Sequence, residues 1–333
     1  EINSVLIAEK LGLLKLDTKN RTSSPIWLKN GILLQQNIVR FLEEKMTEID
    51  IELVQEPWIS NQYGVLENIL QTYGHNQPLK VTIENEELVF RDSTESFLLS
   101  QIISEHQNNT RDHSLGSVFK AFNGELIDIN TEKPKHLTDF METTYPVVVS
   151  LTTSTNIKEV IISHIRLIGT VLKAFGFSQF KLILETPDYN NLQNYLYDEK
   201  LWDNAISILK DIITDLKIPS KIRESGAEIY GPKLTFEVKD KYARNWEISK
   251  IVLDMMLPKK LITETEKSSD ELILVHTFLV DSIEKLLDLV FEHGEGVLPL
   301  WVEPEQVEIV PLESKYIHKA IKITRELQEN RIR

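Results

Sequence analysis

Apolar positions recur along this chain with two spacings, and the switches between them delimit its elements. From Asn30-Gly31 onward, Ile32, Leu33, Ile38, Val39, Phe41, Leu42 and Met46 repeat at helical spacing, with Glu43, Glu44 and Lys45 on the outer side. The alternating run Ile49–Val54 follows and stops before Pro57, which predicts a short strand. Residues 79–91 and 115–129 read as strands around a helix from Phe97 to His106. The polar stretch Asn130–His136 is a loop, and Tyr145–Leu151 is a buried strand. A long apolar-faced helix is expected over Ile157–Phe175, ended by Gly176, then a strand at Phe180–Glu185 and a helix from Lys200 to Leu216. Ile229–Asp240 and Trp246–Asp254 alternate on either side of a polar turn, the pattern of an antiparallel hairpin. Ser282–Phe291 is a further helix, broken at His293-Gly294-Glu295-Gly296.

After Trp301 the register changes. Gln306–Val310 reads as a strand and Tyr316–Leu327 as a helix, so a domain boundary is expected near Pro299–Pro304, separating residues 1–300 from 301–333. Strands mixed with helices, without regular strand–crossover alternation, imply an α+β fold: an antiparallel sheet flanked by helices.

The chain of 333 residues, 41% hydrophobic, is long and apolar enough to bury a sizeable core. Its 37 Lys and Arg against 51 Asp and Glu leave a net charge of −14, which excludes a protein that coats nucleic acid by bulk charge; DNA is not an expected partner. Local basic patches remain. Lys239, Lys241 and Arg244 surround the hairpin turn, and Lys315, Lys319 and Lys322 lie on the last helix; both are candidates for RNA phosphate. The lysines of that helix equally suit the wet side of an amphipathic helix whose dry side is Ile317, Ala320, Ile321, Thr324 and Leu327.

The absence of cysteine removes disulfides, thiolate nucleophiles and Cys-built zinc sites. With no apolar run of membrane-spanning length and no signal-peptide pattern, a cytoplasmic protein is expected, and a start at Glu1 without Met suggests a processed or trimmed product. Short phosphate-loop, dinucleotide, nucleophile-elbow and zinc-protease motifs are missing. Glu292 and Glu295 beside His293 could form an acid–base cluster, but a solvated turn at a helix end suits them better.

Two strings carry a family resemblance. Tyr230-Gly-Pro-Lys-Leu-Thr-Phe, continuing to Trp246-Glu-Ile-Ser-Lys-Ile-Val-Leu-Asp254 and Leu257-Pro258, resembles the Y-G-P-K-I-x-F…W-Q-C-G-T-I-Q-L-D…L-P of threonyl-tRNA synthetases. Val275-His276 through Asp281-Ser-Ile-Glu-Lys285 to Glu292-His-Gly-Glu-Gly and Leu300-Trp301 is similar to the same family's I-H-R-A-I-L-G-S-L-E-R…E-H-Y-A-G…L-W. Nearly the whole chain follows the family order, and residues 230–307 are the most specific part.

The resemblance implies a class II synthetase core, a dimer interface around Pro57 and Trp58, and the opening of an anticodon-binding domain after Trp301. It also implies where catalytic groups should stand. Ser96 occupies the zinc-binding Cys position, His276 matches one zinc-binding His, and the second falls near Val149. Glu125, or Asn123 in a slipped register, stands at the arginine that neutralises the α-phosphate. Lys285 replaces the motif 3 arginine, and Asp281 its nearby glycine. Lys233 and Asp254 are retained, in positions where they could also simply pair or cap the hairpin.

An active family member reads threonine through zinc and positions ATP with arginines. The substitutions imply a core without zinc and without aminoacylation activity, which serves as a homodimeric scaffold for tRNA(Thr). Such a scaffold supports editing of mischarged Ser-tRNA(Thr) by a domain outside this chain, in the division of labour known from some archaea, with a catalytic synthetase as a possible partner. Two alternatives remain: a divergent ligase that still uses ATP and magnesium through Lys285 and Arg111, and a regulatory paralogue that binds a synthetase or an amino acid.

Overall fold

The computed structural model describes residues 3–16, 25–55, 59–60, 80–83, 86–90, 98, 101–102, 112–122, 134–140, 142–261 and 272–333. Pro57, Trp58, Ser96, Asn123 and Glu125 lie outside the described residues, as does most of the helix expected over 97–106. In chain order the elements are α1 (Ser4–Lys10), β1 (Leu14–Leu16), β2 (Pro25–Trp27), α2 (Lys29–Thr47), β3 (Glu52–Leu53), β4 (Ile59–Ser60), β5 (Lys80–Ile83), β6 (Glu86–Phe90), β7 (His113–Phe122) and β8 (Glu142–Thr153). They continue with α3 (Ile157–Ala174), β9 (Lys181–Glu185), α4 (Glu199–Leu216), β10 (Ser220–Arg223), β11 (Lys233–Lys239), β12 (Asn245–Asp254), α5 (Leu257–Leu261), β13 (Leu272–Phe278), α6 (Ile283–Gly294) and α7 (Ile317–Glu329).

The main sheet has eight strands in the order β10-β9-β11-β12-β13-β8-β7-β3. Its centre is antiparallel, as the alternating hairpin β11–β12 requires. Both edges depart from the purely antiparallel expectation: β10 runs parallel to β9, and β3 parallel to β7. The first departure follows from α4, which lies between β9 and β10 in sequence and lets the chain return in the same direction. Strand alternation separates two apolar layers. Ile251 and Leu253 join a core with the buried sides of α2, α3 and α4, while Val252 joins a second cluster with Trp202, Tyr230, Val147 and Val149.

The helices begin and end where local chemistry dictates. Asp198 accepts the Leu201 N–H at the start of α4, and Ser282 accepts that of Lys285 at the start of α6, each satisfying a donor that the first helical turn leaves open. Helix α6 stops at His293-Gly294, with Glu295 in the left-handed conformation at φ 52°. None of the helices formed by the described residues is long and apolar enough to cross a membrane.

The C-terminal segment corrects two expectations. Gln306–Val310 is not a strand; no described strand lies beside it, and the Gln306 and Val307 N–H groups donate instead to the Arg333 carbonyl. The apolar side of α7 is not packed: Ile317 and Ile321 are exposed, and no residue of the helix is buried. Packing against the core persists as far as Val302. The Trp301 indole donates to the Ala174 carbonyl at 2.8 Å and lies 4.6 Å from the Phe41 ring, and the Arg333 guanidinium returns to the carbonyls of Trp301 and Glu303.

Candidate functional site

The resemblance directs attention to the sheet face that carries Lys233, Lys250, Asp254 and His276, opposite the helices α2 and α3. Lys233 on β11 sits across from Val252, and Lys250 on β12 sits across from Thr235. Their ammonium groups converge on one acceptor: Glu228 Oε1 receives Lys233 Nζ at 3.1 Å and Lys250 Nζ at 3.0 Å. Burial pushes the Glu228 carboxyl up, but the attraction of Lys250 and Lys233 outweighs it and holds the group at about 2. Lys250 also lies 4.2 Å from the centre of the Phe278 ring, within cation–π range.

Beside this cluster Glu185 ends the apolar strand β9 fully buried, between Arg223 of β10 and Thr235 of β11. Arg223 donates through Nε to Glu185 at 3.1 Å and through both terminal nitrogens to Glu247, at 2.5 and 3.0 Å. Hydrogen bonds donated to Glu247 and Glu185 push the guanidinium still higher, so it stays charged. Gly226 closes the cluster: a Cβ at this position would stand 1.5 Å from Glu185 Oε2, so a larger residue would break the arrangement.

His276 is completely buried. Its Nε2 lies 3.2 Å from Asp254 Oδ2, its ring lies 4.9 Å from that of Tyr230, and Val149 faces it directly across the β13–β8 pair. The other Asp254 oxygen accepts the N–H groups of Met256 and Leu257 at 2.7 and 2.9 Å, which starts the short helix α5. Burial raises the Asp254 carboxyl, and the bond from His276 opposes the rise. Zinc requires several deprotonated donors that converge on one point. Around His276 the described residues offer one imidazole and one carboxylate already committed to capping, and no group of three possible ligands occurs among the described residues. They do not fit a zinc ion.

At the start of α6, Lys285 Nζ lies 2.6 Å from Asp281 Oδ2, so the cation at the motif 3 position is held by the acid one turn before it. The pair borders a cavity of about 470 Å³ lined also by Thr143, Tyr145 and Trp246. Farther along the same helix, Glu284, Asp288 and Glu292 form a row of buried carboxylates. Glu284 accepts from the Thr144 N–H at 2.7 Å and from its hydroxyl at 3.1 Å, Asp288 accepts from the Leu137 and Thr138 N–H groups, and Glu292 is bonded by Arg244. Glu292, His293 and Glu295 are not one cluster: His293 packs on Phe177, and Glu295 pairs with Lys241 at 2.6 Å.

The basic candidates divide similarly. Arg244 pairs with Asp240 and Glu292, Lys315 with Glu313 at 2.7 Å, and Lys322 with Glu326 at 3.7 Å. Lys239 and Lys319 make no such pair among the described residues. Sequence reasoning missed Glu185, Arg223, Glu228 and Lys250. The one available signal was a charged residue, Glu185, closing an otherwise apolar strand.

No protein-family model matches the chain. It is 24% identical over 324 residues to a threonine–tRNA ligase of Ureaplasma parvum, covering 92% of this chain and 53% of that protein. It is 25% identical over 341 residues to the threonine–tRNA ligase of Aquifex aeolicus, covering 98% and 51%. The chain thus spans about half the length of these relatives. Among solved structures, an RNA-binding domain of threonyl-tRNA synthetase from Cryptosporidium parvum superposes with a TM-score of 0.84 at 20% identity, over 99% of this chain and 82% of that one. A putative threonyl-tRNA synthetase from Aeropyrum pernix gives 0.83 at 17% identity, over 99% and 79%. The chain is thus similar to threonine–tRNA ligases along nearly its whole length and has the class II synthetase fold.

Proposed function

We propose that this domain does not form aminoacyl-adenylate and acts instead as a tRNA-binding core, retained for its architecture. The observation that carries the reading is the Asp281–Lys285 pair, which satisfies with an internal carboxylate the cation that would otherwise grip the nucleotide phosphates. Two features support it: Lys233 and Lys250 are committed to Glu228, and the described residues around His276 offer no zinc ligand set. Losing one preorganised donor to a transition state typically costs about 2.7–4 kcal/mol. The loss of both metal and arginine takes adenylation to background.

In this reading the natural protein is a cytoplasmic homodimer that binds tRNA(Thr), and hydrolysis of mischarged Ser-tRNA(Thr) belongs to a domain outside this chain. Two measurements test it. ATP–pyrophosphate exchange across a panel of amino acids should stay at background, and filter binding should detect salt-sensitive affinity for tRNA. Robust exchange with any amino acid, or no tRNA binding at low salt, overturns it.

A further inference from the structure

We propose that a second cleft, at the far end of α6 from Lys285, binds a nucleotide of single-stranded RNA, its phosphate held by Lys181, Lys217 and Lys239 and its base placed against Phe180. The inference rests on the tRNA-binding reading and assigns it a surface. The cleft has a volume of about 670 Å³ and lies where the loop after α3, the ends of α4 and β11, and the first residue of β9 meet. That volume lies within the roughly 300–1,000 Å³ of ordinary ligand clefts.

The lining of the cleft points to an anion with an aromatic group attached. None of the three lysines pairs with a carboxylate among the described residues, whereas Lys233, Lys250 and Lys285 are all paired. Glu237, the one acid lining the cleft, is already engaged by Lys221 Nζ at 3.1 Å. Helices α3, α4 and α6 end nearby, and each helix end contributes about half a negative charge. Against three lysines that still leaves the cleft positive.

Lys217 occupies the left-handed cap position of α4, φ 53°, which glycine would fill without steric cost. Here that position carries an ammonium group at the cleft. Phe180 is half-buried, resting on Phe236 at 5.0 Å, and offers a fixed ring on which a base can stack. On the inner side His293 lines the cleft, and its buried Nδ1 has no hydrogen-bond partner, so an imidazole nitrogen is available to a ligand.

The test is fluorescence anisotropy with a labelled single-stranded RNA hexamer, with tRNA and AMP as separate titrants, on the intact chain. Lys181→Ala, Lys217→Ala and Lys239→Ala combined should weaken hexamer binding at least tenfold and flatten its salt dependence by about two units of log–log slope. Phe180→Leu should weaken it about 5- to 100-fold with little change in salt dependence. Unchanged melting of the lysine variant, whose three side chains are exposed, shows that folding is not the cause. If tRNA binds the wild type and the lysine variant equally, the cleft assignment fails while tRNA binding stands. If neither RNA binds the wild type, both readings fail together. If AMP saturates the cleft and the hexamer does not compete, the site is one for free nucleotides and the RNA assignment is overturned.

Discussion

Lys285 and Asp281 face one another across a single helical turn at 2.6 Å, with Asp281 at the position where the threonyl-tRNA synthetase family pattern has glycine. The two side chains are 30% and 42% exposed, so their attraction is screened by water and contributes no more than about 1 kcal/mol to stability. Its consequence is for ligands rather than folding. Asp281→Asn should shift stability by less than about 1 kcal/mol in urea melts. It should also leave pyrophosphate exchange at background, because releasing one lysine does not restore bidentate phosphate geometry.

Glu228 should matter more. Its carboxyl is held at about 2 against an ordinary value of 4.5, so the folded state prefers the ionised form. The resulting stabilisation is fully present above pH 4.5 and is lost as pH falls through about 2. Glu228→Gln removes the negative charge that the two lysines share and should cost about 1–2 kcal/mol at pH 7 in denaturant titrations. The gap between variant and wild type should narrow steadily below pH 4.5.

Glu284 predicts the opposite pH dependence. Burial raises its carboxyl to about 7, although hydrogen bonds from Thr144 and the attraction of Lys120 work against the rise. A carboxyl raised above its unfolded value favours the folded state when protonated, so stability falls as pH climbs from 4.5 through 7. Glu284→Gln removes that loss. The variant should be more stable than wild type at pH 8 by roughly 1–3 kcal/mol and should show little difference near pH 4.5. Melts at both pH values decide it.

His276 tests the metal question without any assay of activity. Equilibrium dialysis against zinc should recover no stoichiometric ion, and chelator should leave the melting temperature unchanged. His276→Leu should still cost about 1–3 kcal/mol, because it strips the buried Asp254 carboxyl of a partner. A melting temperature that rises with added zinc and falls in the variant would reverse the assignment.

Local periodicity made much of the fold legible. The apolar spacing of Ile157, Ile161, Ile165, Ile168 and Leu172 identifies α3, and alternation on both sides of the Asp240–Arg244 turn identifies the β11–β12 hairpin. The parallel pairing of β10 was not visible. Ser220-Lys-Ile-Arg223 is only four residues long and largely exposed, so it carries no buried alternation, and its partner is chosen by the path of α4. The strand expected at Gln306–Val310 failed for a related reason: alternation specifies a face, but a strand also needs a neighbour to accept its hydrogen bonds.

The candidate site was legible where it depended on chain positions in a known pattern, as with Lys233, Asp254, His276 and Lys285. The charge network was not. Glu228 reaches Lys250 across 22 residues and Arg223 reaches Glu185 across 38, contacts that exist only once the sheet is assembled.

The row of Glu284, Asp288 and Glu292 keys α6 to a single azimuth. Turning that helix by one residue, about 100°, would pull all three carboxylates from their donors at once and strand them in apolar surroundings. Lys285 is therefore aimed by its neighbours on the helix, and no rotation of α6 about its axis can serve as a switch that swings it away from Asp281.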